Sequence, residues 1–165
     1  MPEKKTVEKA KKAKRRGKSP STQAGEFVRE ELHHIREGKH GARSTKQAIA
    51  IGLSKARRSG VALSPPKRGR VSEKTRRSAE RAYEKGRRGV STVSRRRSRA
   101  TGGALKREGR ATASRKALAR QARSAAARRT RGERSISARR AVRTKGHRGR
   151  SAAARKASRT RARRA

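Results

Sequence analysis

The amino-acid sequence predicts a mostly disordered chain with one small all-α module, a helical hairpin at about residues 20–60, plus isolated helices in a cationic tail. Three observations lead there. The 165 residues hold 54 Lys and Arg against 11 acidic side chains, a formal charge of +43, with 28% hydrophobic residues and 1% aromatics. Such a chain is short of apolar surface with which to offset the entropy of ordering its whole length. The large aliphatic side chains gather between residues 20 and 66 and recur there at helical spacing. Beyond residue 90 the sequence is of low complexity, rich in Arg, Ala, Ser and Gly, with no sustained apolar face.

Residues 1–19 are Lys-rich and read as a disordered basic arm. Residues 20–66 are the hairpin module. Ser19 or Ser21 caps a helix that runs to about Glu37, with Pro20 in its first turn. Val28, Leu32 and Ile35 fall at i, i+4 and i+7, with Phe27 at the edge of that face. Gly38 supplies a left-handed stop. Ser44 and Gln47 form an S-x-x-Q capping box that opens the second helix. Ala48, Ile49, Gly52, Leu53 and Ala56 make its apolar stripe, small enough on one flank for another helix to approach, and Gly60 closes it. Val61, Leu63 and Pro65-Pro66 fold back as an extended lid. Residues 67–90 are a basic linker and the helix SEKTRRSAERAYEKG, 72–86.

Residues 91–165 form the low-complexity tail. RSAAARR at 123–129 returns as RSAAARK at 150–156, and Ser91, Ser114 and Ser137 are spaced by 23 residues. Ala-rich pieces such as ASRKALARQARSAAARR have high helix propensity. Like charges at i,i+4 oppose the helix in water, so folding is expected on a polyanion that neutralises them.

Charge of this size and sign draws polyanions. No apolar run approaches the roughly 20 residues of a membrane span, and the first residues lack a secretory h-region. With no Cys, thiolate chemistry is absent, and a cytoplasmic, nucleoid location is expected. GKHGARST, 38–45, is not a Walker loop, because its Lys follows the wrong Gly and no strand precedes it. Free N–H groups at the second helix's start still suit a backbone phosphate. No Asp, no Cys and no apolar pocket are present to tune a catalytic group, so no enzyme and no cofactor are expected. His33, His34 and His40 lie close together, but a closed zinc site usually takes four N/S ligands and the one other His is His147. They read as helix-end and loop histidines, with no metal expected.

The stretch EFVREELHHIREGKHGARSTKQAIAIGLSKARRSGV, 26–61, resembles a family of small, highly basic bacterial proteins carrying a domain of unknown function, with QAIAIGLSKAR as its core. ALKREGRATASRKALARQARSAAARR is similar to the tails of those proteins, and the resemblance implies no characterised activity. By composition the tail is similar to linker histones and bacterial histone-like proteins. Pro66-Lys67-Arg68-Gly69-Arg70 partly resembles an AT-hook, with a second Arg-Gly-Arg at 148–150, although Val71 and Ser151 stand where the hook family has Pro.

The function expected is a histone-like, nucleoid-associated DNA-binding protein that is not sequence-specific and neutralises duplex DNA. An RNA- or ribosome-associated basic protein is the alternative. The nucleic-acid contacts expected are Arg43, Ser44 and Lys46 at the second helix's start and Lys55, Arg57 and Arg58 at its end. Lys67, Arg68 and Arg70 would form the hook, and Arg95, Arg96, Arg97, Arg128, Arg129, Arg148 and Arg150 the tail contacts.

Overall fold

The computed structural model describes residues 2–89 and 94–163. Among the described residues, seven α-helices and one 3-10 turn account for 75%, and no strand occurs. They are α1 (Lys4–Arg15), α2 (Pro20–Arg36), α3 (Thr45–Arg58), α4 (Glu73–Arg87), α5 (Arg95–Lys106), α6 (Arg115–Ala127) and α7 (Arg131–Ala162), with a 3-10 turn at Ala111–Ala113. The chain divides into two compact units, Met1–Gln121 and Ala122–Ala165.

Over residues 20–66, α2 and α3 pack on each other more extensively than any other pair of elements. Ser19 accepts from the Thr22 N–H ahead of Pro20, and Ser44 accepts from the Gln47 N–H. The Gln47 side chain reaches one residue further back than a capping box requires and accepts from the Arg43 N–H at 2.7 Å. Both helices end in the same motif. Gly38 (φ +79°) and Gly60 (φ +82°) take the left-handed conformation. Lys39 N–H then donates to His34 O, and Val61 N–H to Ala56 O, which satisfies carbonyls the helix leaves open.

Two apolar clusters lie in this first unit. Phe27, Ala24, Ala56, Val61 and Ala10 form one, with Val7, Leu53 and Leu63 against it. Ile35, Ala42, Ala48 and Ala113 form the other, with Leu32 beside them. Gly52 sits against the Val28 backbone, and Gly86 of α4 sits against the Arg57 carbonyl. Small residues at crossings bring the axes close, so many contacts come from few large side chains.

Expectations of a mostly disordered chain and of intrinsic disorder are overturned. The basic arm is α1, which packs on α2 through Ala10, Val7 and the buried Thr6. Counting large apolar side chains underestimated burial, because Ala10, Ala24, Ala42, Ala48, Ala56 and Ala113 are all core residues. Ala is also the best helix former, and in the tail good caps add to it. Ser94 accepts from the Arg97 N–H, and Ser114 from the Ala117 N–H. Thr130 and Glu133 make a reciprocal capping box that opens α7. Of the serines spaced by 23 residues, Ser114 caps α6, Ser137 lies inside α7, and Ser91 falls outside the described residues.

Segments 105–113 also belong to the first unit. Gly41 and Ala42 N–H groups donate to the carbonyls of Leu105 and Gly109, and Arg36 donates to Ala113 O at 2.9 Å. Thr45 Oγ1 donates to Thr112 O at 2.7 Å. In the second unit α7 is broken at Gly146 (φ 63°, ψ 179°).

Candidate nucleic-acid interface

At the start of α3, Arg43, Ser44 and Lys46 are exposed. The fold sets Ser44 and Thr45, but not Arg43 or Lys46, against the start of α6, so that Ser44, Thr45, Thr112, Ser114, Lys116 and Arg120 line an open cleft of about 410 Å³. Ser44 and Ser114 each accept a helix N–H, which leaves each hydroxyl proton available to an incoming oxygen. Thr112 Oγ1 is shielded from solvent and has no hydrogen-bond partner. Two helix N-termini, which carry partial positive charge, and two exposed cations thus meet at one cleft. Its chemistry matches a phosphate oxygen. Lys116 and Arg120 were missed in the sequence, because nothing local announces that residue 114 lies beside residue 44.

At the other end of α3 the arrangement differs from expectation. Arg58 is exposed, but Arg57 is buried. Its Nε donates to Leu63 O at 3.0 Å and Nη2 to Ser64 O at 3.3 Å, which holds the returning lid segment. Burial lowers the Arg57 pKa from its ordinary value. Lys55 turns inward, 2.6 Å from Glu31 Oε2 and 3.6 Å from Glu30 Oε1. Both side chains are committed to the fold, and Arg58 is left as the outward cation of the three.

Lys67, Arg68 and Arg70 are exposed, but Arg68-Gly69 forms a turn. Gly69 has φ +77°, and Arg70 N–H donates to Lys67 O at 3.3 Å. The extended Arg-Gly-Arg expected there is therefore not the conformation present. Its second copy lies within α7, where Arg150 Nε donates to Gly146 O at 3.3 Å. Arg95, Arg96 and Arg97 occupy the exposed first turn of α5. In the second unit Arg128, Arg129, Arg148 and Arg150 are all exposed. That unit, 122–165, carries 17 Lys and Arg and one Glu.

One acidic group near these cations, Glu73, is held ionised. Glu73, in the first turn of α4, accepts from Arg76 at 2.6 Å, and this bond lowers its pKa from 4.5 to about 2. Because the folded value is depressed, the contribution to stability is present above 4.5 and is lost as pH falls through about 2. NMR titration should place the Glu73 midpoint near 2, and Arg76→Gln should return it toward 4.5. A wild-type midpoint at 4.5 would remove the pair.

No family model, curated protein or solved structure matches the chain, so the site is read from its own geometry. Among the described residues no helix is long and apolar enough to cross a membrane.

Proposed function

We propose that the protein binds duplex DNA through its phosphates, with little dependence on base sequence, as a nucleoid-associated protein. The observation that carries this reading is the second unit, where 17 cations stand against one acid and every described Arg and Lys is exposed. Cations spread along helices neutralise a phosphate backbone without selecting bases. The cleft at Ser44, Ser114, Lys116 and Arg120 gives the first unit its own phosphate seat. Readers of single strands stack bases on aromatic platforms, and this chain has one Phe and one Tyr, with Phe27 buried.

Crosslinking in cells, followed by sequencing of both nucleic acids, tests the reading. DNA fragments without a shared motif are expected. Recovery of chiefly RNA would replace this reading with that of an RNA- or ribosome-associated protein.

A further inference from the structure

We propose that Glu31, His34 and His40 form a binding site for a divalent first-row transition metal that ties α2 to the α2–α3 connection. One ligand atom from each of the three residues lies within 4.8 Å of the others. Glu31 and His34 stand at i and i+3 on α2, hence on one face, and His40 reaches them from the connection.

Glu31 is fully buried, and both of its carboxylate oxygens lack a hydrogen-bond partner. The Lys55 ammonium lies 2.6 Å from Oε2. That approach is an ion pair, which supplies charge to Oε2. Oε1 faces His40 Nε2 at 3.3 Å. His40 Nδ1 is 3.0 Å from the Gly41 carbonyl, which only accepts, so Nδ1 carries the hydrogen. In the neutral ring Nε2 is then a lone pair aimed at a carboxylate oxygen. Something positive between them is required. A proton meets that requirement for His40 alone, whereas a metal ion also uses His34.

Three further features favour the metal. Zinc bonds of about 2.0–2.2 Å to N and O at a tetrahedral angle put those donors about 3.3 Å apart, which is the Glu31–His40 separation. Metal-bound imidazoles almost always donate their other N–H to a carbonyl or carboxylate, as His40 does to Gly41 O. His34 Nε2 in turn lies 2.8 Å from Glu3 Oε1, a carboxylate of the outer-shell kind. The charge also suits a dication, because Glu3, Glu30 and Glu31 converge here against Lys55 and Lys39, the latter 3.7 Å from Glu3 Oε1, and the cluster keeps a net negative charge. Glu30 accepts the Glu3 N–H and, like Glu31, lies beside Lys55. Imidazole with carboxylate selects zinc, copper, iron or nickel over magnesium or calcium. The site is independent of DNA binding.

Full-length protein, freed of nucleic acid at high salt and of metal by chelation, is titrated with Co²⁺. We expect one Co²⁺ per chain with d–d absorption of a low-coordinate site, displaced by Zn²⁺. Zn²⁺ at a hundredfold excess over Kd should raise Tm on the order of 10 °C. Mg²⁺ should do neither. His34→Gln and His40→Gln should each remove the band and the shift, whereas His33→Gln, whose side chain is 69% exposed, should keep both. A folded wild-type protein without the Co²⁺ band overturns the site, and so does a His40→Gln protein that binds as the wild type does. If either variant loses helicity without metal, the wild-type titration decides the question alone.

Discussion

Raising salt from 50 to 200 mM should weaken binding to duplex DNA by three orders of magnitude or more. With about eight to ten phosphates neutralised, log K against log[salt] should fall with a slope of about −7 to −9. The second unit alone carries 17 Lys and Arg, so about half of them would supply that number of contacts. Fluorescence anisotropy on A·T-rich and G·C-rich duplexes of equal length should give the same slope for both, because phosphate spacing is common to them. A chain ending at Arg129, which keeps α6 whole and lacks α7, should show a markedly shallower slope. Two results would count against the proposal: a full-length slope near −2, or a truncation that leaves the slope unchanged.

Legibility in the sequence followed the range of the interaction. Caps and stops are local, so Ser19, Ser44, Gly38 and Gly60 could be read directly, and the structure uses all four. Docking of residues 105–113 on the hairpin rests on backbone bonds such as Gly41 N–H to Leu105 O. Backbone groups carry no sequence signature, and so a piece of the first unit looked like tail. The arm was misread for another reason: Lys-rich composition hid Val7 and Ala10, whose spacing of three faces them toward Phe27. The candidate interface was legible as charge and illegible as geometry. Lys55 and Arg57 look like Arg58 in the sequence, yet Glu30, Glu31 and the lid carbonyls draw them inward. Glu31 escaped notice as a partner for the histidines because a carboxylate in the middle of a helix usually faces water.

Phe27→Ala should cost about 3–5 kcal/mol, a large share of the roughly 5–15 kcal/mol that holds a domain folded. Phe27 has no solvent exposure and is the one large ring in a cluster otherwise built from Ala24, Ala56, Ala10 and Val61. Its buried neighbours, three Ala and one Val, are too small to fill the space it leaves, and Val7, Leu53 and Leu63 pack only at the edge of the cluster. Thermal unfolding followed by circular dichroism should therefore show a Tm lowered by more than about 10 °C. Two glycines on the same hairpin sharpen the test, because the same substitution should act with opposite sign at each. A Cβ at Gly25, on the exposed side of α2, meets nothing within 4 Å. Gly25→Ala should therefore stabilise by about 0.5–1 kcal/mol through helix propensity. At Gly52 a Cβ would stand 2.7 Å from Val28 Cα and 3.0 Å from its N. These are backbone atoms of the facing helix, so no rotamer change relieves the contact and α2 and α3 must separate. Gly52→Ala gains the same propensity but should lose about 1–3 kcal/mol or more to overpacking, giving net destabilisation. Equal and favourable effects at both glycines would mean that α2 and α3 do not cross at Val28 and Gly52.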